Sequence, residues 1–81
     1  MAPDVAVEIR APDDRQRYID EKTRVYLSDG CTVVILVDPQ TRTVHATGED
    51  GARTYSERDT FEYPALPGFT LPLAPFFARI Q

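Results

Sequence analysis

Apolar and polar residues alternate along the first segment of the chain: Val5, Val7 and Ile9 fall on one side, and Asp4, Ala6, Glu8 and Arg10 on the other. A period of two is that of a β-strand, so residues 5–9 predict a strand with one apolar face and one charged face. Ala11-Pro12-Asp13-Asp14 interrupts it. Proline is compatible with a helix entry, and either aspartate can accept hydrogen bonds from the free N–H groups of a first turn. Over residues 15–28 the period lengthens, and Tyr18, Ile19, Val25, Tyr26 and Leu27 gather on one side of a helix. Asp29-Gly30 closes it, since glycine tolerates the left-handed conformation that helix ends often need.

Residues 32–37 form a continuous β-branched run, the pattern of a strand covered on both faces. Asp38-Pro39-Gln40-Thr41 carries turn chemistry, and residues 42–46 return as a hairpin partner. Gly48-Glu49-Asp50-Gly51 reads as a tip, followed by a shorter edge strand over residues 52–55. Residues 61–75 hold Pro64, Pro67, Pro72 and Pro75, spaced too closely for a helix. They predict an extended segment laid over the sheet, ending in a short apolar turn at Phe76-Phe77. The order predicts an α/β (α+β) fold, a mixed β-sheet with a β-α-β-β core and a Pro-rich C-terminal wrapping segment. The crossover helix makes the first two strands parallel.

Length and charge narrow the picture. At 81 residues the chain is one domain, residues 1–81, with a thin core. Nine basic against 13 acidic residues give a net charge of −4, which argues against tight, sequence-independent binding to nucleic acid. Cys31 is the sole cysteine, so no intramolecular disulfide and no four-thiolate zinc site can form. A lone cysteine suits a reducing compartment. The longest apolar stretch, residues 33–37, falls far short of the ~20 residues of a membrane span. No basic segment precedes an apolar run at the N-terminus. These features lead to the expectation of a cytoplasmic protein without membrane contact.

Two sets of residues could carry chemistry. Asp4 and Glu8 project from one face of the first strand, roughly 13 Å apart at ~3.3 Å per residue. Glu8 can ligate a metal ion, and Asp4 reaches the same ion only if the strand bends or a water bridges; solvated edge charges are the alternative. Lys22 shares the apolar side of the helix with Tyr18, Val25 and Tyr26, so it must snorkel or meet a partner, for which Glu8 is suited. A carboxylate, a metal ion and a lysine beside a phosphate make a phosphodiester-cleaving arrangement. A structural Lys–Glu pair is the alternative. His45 reads as a surface residue and Cys31 as a buried thiol. No phosphate-cradling glycine loop or metal-spaced His/Cys set is present.

Pro3-Asp4-Val5-Ala6-Val7-Glu8-Ile9, Ala11-Pro12-Asp13-Asp14, Glu21-Lys22, Tyr26, Gly30, Val37-Asp38-Pro39, Arg42-Thr43-Val44, Leu66-Pro67-Gly68-Phe69 and Leu71-Pro72-Leu73 occur in an order and spacing that resembles the Uma family. That family belongs to the PD-(D/E)XK restriction-endonuclease-like superfamily. The resemblance implies a partial restriction-endonuclease-like fold, DNA as partner, and Mg2+ at an acidic site. It implies Glu8 and Lys22 as catalytic residues and Glu8 and Asp4 as metal ligands, with Lys22 displaced from its usual place two after the glutamate onto the following helix.

The chain also departs from the family. Members carry, before this Pro-Asp strand, a helix, a hairpin and a strand bearing a metal-binding aspartate, so the chain resembles the C-terminal half. Arg10 stands two after Glu8 where the family has an apolar residue, Ala11 replaces a serine, and Ile35 stands where tryptophan is common. The expectation is a metal-dependent DNA endonuclease that is incomplete or inactive alone. The alternative is a non-catalytic, oligomeric remnant serving protein interaction. A sheet without its first strands exposes an edge and an apolar face, which implies a homo-oligomer or a complement for the missing half. Everything turns on the Lys22 ammonium and the Glu8 carboxylate lying on the same side of the sheet.

Overall fold

Eight elements follow one another in the computed structural model, which describes residues 4–80. Residues 1–3 and 81 lie outside the described residues, and with them Pro3 of the Pro-Asp pair and the start of the stretch read for a secretory signal. The elements are β1 (Val5–Ile9), α1 (Gln16–Ser28), β2 (Val33–Asp38), β3 (Thr43–Gly48), β4 (Gly51–Ser56), β5 (Thr60–Phe61), β6 (Leu71–Pro72) and α2 (Leu73–Arg79). The main sheet has the order β1-β2-β3-β4, and β5 pairs with β6 in a small second sheet. β1 runs parallel to β2 in unbroken register from Val5↔Val33 to Ile9↔Val37, as a helical crossover requires. β2–β3 and β3–β4 are antiparallel. The mixed sheet with a β-α-β-β core is therefore present.

β2 is the spine. Val33, Ile35 and Val37 pack into a cluster with Val44, Ala46, Phe61, Tyr63, Leu73 and Phe77, while Val34 packs with Ala6 and Cys31 on the opposite face under α1. A β-branched run suits a strand buried on both sides, because alternate residues supply two cores at once. The Asp38 carboxylate accepts the Gln40 and Thr41 N–H groups at 3.0 and 3.3 Å, which turns the chain into β3. β3 and β4 run to the tip, with Gly48 paired to Gly51 across Glu49 and Asp50, so both strands are longer than their apolar cores suggested.

Three expectations need correction. Neither aspartate caps α1: its N-cap is Arg15 without a side-chain bond, and Asp14 instead accepts the Ala11 N–H at 2.9 Å to close the preceding turn. Tyr18 and Val25 are exposed, and Ile19 alone of the helix is buried, because α1 meets only the narrow strip of Ala6 and Val34 beneath it. The wrapping segment ends in helix α2 rather than in a turn. Pro72 precedes that helix and Pro75 lies in its first turn, where an absent N–H breaks no helical bond. Leu73 and Phe77, four residues apart on one face, are then fully buried against the sheet.

Candidate active site

The parallel pairing of β1 with β2 places Ala6 and Glu8 on the α1 face of the sheet, and α1 brings Lys22 and Tyr26, one turn apart, down onto that face. Lys22 Nζ lies 2.9 Å from Glu8 Oε1, and the Tyr26 hydroxyl donates to the same oxygen at 3.0 Å. The two donors and the carboxylate form a triad that is half-buried between helix and strand. Lys22 also lies 5.6 Å from the centre of the Tyr18 ring, a cation–π distance. Beside the triad is a crevice of about 30 Å³, also lined by Arg10, Asp14 and Ile19. It has room for a water or two, and a wider cleft of about 440 Å³ on the same face shares Arg10, Ile19 and Leu36 with it.

Glu8 sets the protonation of its neighbours. The Lys22 pKa is raised from 10.5, first by the hydrogen bond to Glu8, which outweighs the loss of solvent. The Tyr26 pKa is raised from 10.0, first by donating to the same carboxylate. Both groups keep their protons to higher pH in the folded chain than in the unfolded one. The stabilisation they supply is therefore complete below the ordinary tyrosine and lysine values and is lost as pH rises through the folded ones. As pH rises above the ordinary values of 10.0 and 10.5, the melting temperature of the wild type is expected to fall more steeply than that of Glu8→Ala. Parallel curves would remove the coupling.

Sequence reasoning missed two contributors. Tyr26 read as part of an apolar stripe, although its place one turn beyond Lys22 was a usable signal. Arg10 donates to Gln16 Oε1 at 2.9 Å and to the Asp14 carbonyl at 3.1 Å, and it lies 3.9 Å from Asp38. It thereby ties the strand end to the start of α1. His45 is the neighbour of Leu36 on β3, on the same face as Glu8 but two strands away from it, and it is bonded to Thr54 Oγ1 at 3.0 Å. Cys31 is buried.

Asp4 does not join Glu8. β1 pairs in unbroken register from Val5 to Ile9, and Asp4 stands at a bend just before it, about 13 Å from Glu8 at the rise of an extended chain, with its carbonyl taken by the Thr32 N–H at 2.8 Å. Magnesium demands near-octahedral oxygen ligands. Here one carboxylate is at hand, and one of its oxygens already accepts two hydrogen bonds. Among the described residues no group of three or more His, Cys, Asp or Glu side chains could hold a metal ion. The donor set of the described residues does not fit Mg2+ by itself.

The geometry can be set beside known proteins. The model of the Uma2 family, described as "Putative restriction endonuclease", matches residues 1–74. Among solved structures, the chain is similar to one titled as a "putative nuclease belonging to DUF820" from Anabaena variabilis ATCC 29413, with a TM-score of 0.81 and 22% identity. The match covers 96% of this chain and 45% of that one, so the chain spans less than half the length of that protein. No curated protein matches the chain. No helix among the described residues is long and apolar enough to cross a membrane.

Proposed function

We propose, from the premise that the chain belongs to the Uma2 family of restriction-endonuclease-like proteins, that the Glu8–Lys22–Tyr26 triad is the part of a DNA phosphodiester-hydrolysing site that this chain contributes. One observation carries the reading: the acidic residue and the lysine, separate in sequence, meet at 2.9 Å beside a crevice of ionic size. Lys22 is held charged by Glu8 and would stabilise negative charge developing on a phosphate oxygen. Tyr26 fixes the carboxylate from the other side, so that Glu8 stays in place when Lys22 turns to substrate. Further oxygen ligands from outside residues 4–80 would have to join Glu8 before magnesium is held.

A second reading, a non-catalytic interaction module, draws on that single carboxylate and on the net charge of −4, which disfavours binding to phosphate backbones. Incubating supercoiled plasmid with the chain joined to the N-terminal half of a Uma2 relative, which would supply the missing oxygen ligands, with and without millimolar Mg2+, separates the two. The nuclease reading expects magnesium-dependent nicking, lowered about 100-fold or more in Lys22→Ala and Glu8→Ala, as for loss of a group that stabilises transition-state charge. Wild-type protein that leaves the plasmid intact, and that magnesium does not stabilise against heat, would support the interaction module.

A further inference from the structure

We infer that Arg10 is the positioning residue of the triad, clamping the first turn of α1 to the strand ends so that Lys22 meets Glu8. Its bearing on catalysis rests on the nuclease reading of the triad. The Arg10 N–H donates to the Val37 carbonyl at 2.8 Å, so strand pairing continues to it and its side chain falls on the face of Glu8. One guanidinium nitrogen donates to Gln16 Oε1 at 2.9 Å, and the other terminal one to the Asp14 carbonyl at 3.1 Å. The group also lies 3.9 Å from the Asp38 carboxylate at the end of β2. Gln16 passes the link on, donating to Asp20 Oδ1 at 2.8 Å one turn further along the helix.

α1 has little else to fix its near end. Its N-cap, Arg15, makes no side-chain bond, no acidic residue stands in its first turn, and Ile19 is its one buried residue. Hydrophobic burial is non-directional, so that side chain resists separation from the sheet but not sliding or rotation over it. The far end is tied down separately. There the Cys31 N–H donates to the Tyr26 carbonyl at 3.0 Å, and Tyr26 and Leu27 pack on Ala6, Cys31 and Val34.

A helix held at both ends sets Lys22 on Glu8 at 2.9 Å. Released at Arg10, it pivots about its far end, and Lys22 swings further than Tyr26 because it lies nearer the freed end. Lys22 is about 9 Å along the helix from Gln16 at ~1.5 Å per residue, so a small tilt is enough to part the pair. The clamp needs arginine, whose planar fork offers two donors in fixed directions, whereas a lysine offers a single ammonium. Every bond in this linkage is made within residues 8–38, in elements that the chain itself supplies.

Lys22 is the sole lysine, so selective isotopic labelling of lysine gives one side-chain signal in the NMR spectrum of the full chain. In the wild type it should titrate above 10.5, held up first by Glu8 on β1 and further by Tyr18 and Tyr26 on its own helix. Arg10→Gln should bring it down toward 10.5 with an unchanged circular dichroism spectrum. The sign separates positioning from charge, since removing a neighbouring cation by itself moves a lysine pKa up. Arg10→Lys, which keeps the charge and loses the fork, should also lower it. Gln16→Ala, at an exposed position, removes one arm and should lower it by less. Leu71→Ala loosens the core on the other face of the sheet and should leave the signal in place. A Lys22 pKa unchanged or raised in both Arg10 variants would overturn the proposal, and so would an equal fall in Leu71→Ala. Cleavage is a separate readout: in the chain joined to a Uma2 N-terminal half, both Arg10 variants should nick plasmid about 10- to 100-fold more slowly, as for a misplaced group. A joined wild type that never nicks would sink the nuclease reading, while the titration still decides whether Arg10 holds Lys22 on Glu8.

Discussion

Phe77→Ala is expected to lower the free energy of unfolding by about 3–5 kcal/mol, the range for removing a fully buried aromatic ring. Phe77 is wholly buried in the cluster formed by Val33, Val44, Ala46, Phe61 and Leu73, and α2 packs on the sheet through Leu73 and Phe77, with Phe76 partly buried beside them. Small domains have only about 5–15 kcal/mol of stability in total, so the variant should sit near its unfolding midpoint in water. Urea titration checks this: the midpoint should drop sharply at unchanged slope. Phe69→Ala provides the contrast, since that ring is half exposed. Equal midpoints for the two variants would mean that α2 does not close the core.

The second large effect falls on a glycine. A Cβ built on Gly48 would lie 2.3 Å from the Thr32 carbonyl oxygen, 3.0 Å from the Tyr63 hydroxyl and 3.2 Å from the Val33 Cα. Two of these neighbours are backbone, and Thr32 cannot retreat without straining the 2.8 Å bond that its N–H makes to Asp4 at the head of β1. Gly48→Ala should cost about 2–3 kcal/mol or more, at the upper end of overpacking penalties. It should also speed hydrogen exchange at the Thr32 amide. Full stability in this variant would show that the β2–β3 ladder can open at its end at little cost.

The elements of residues 5–56 were legible in the sequence because each rests on a local rule. Period two gave β1, the uninterrupted β-branched run gave β2 with both faces covered, and Asp29-Gly30 stopped α1 with Gly30 at φ +98°. The resemblance to the Uma family, read from scattered residues, agrees with the family match over residues 1–74. The pairing of Lys22 with Glu8 was also foreseeable, because an inward-facing lysine on a crossover helix needs a carboxylate on the strand beneath it. α2 was hidden by Pro72 and Pro75, whose effect depends on where a helix starts and not on how often proline occurs.

By itself the sequence determined the strands and helix of residues 5–56 to within a few positions, and which charged groups had to find partners, since periodicity and desolvation act over a few neighbouring positions. Only the tertiary structure decided which face of each element is covered. Tyr18 and Val25 carry the same apolar signal as Ile19, yet they lie outside, on the flank of α1 that the sheet does not cover. It also decided that Tyr26 shares the Glu8 oxygen with Lys22 and that Asp4 stands at a bend before β1 begins. Distances between residues far apart in the chain follow from how the elements pack, and no local pattern encodes them.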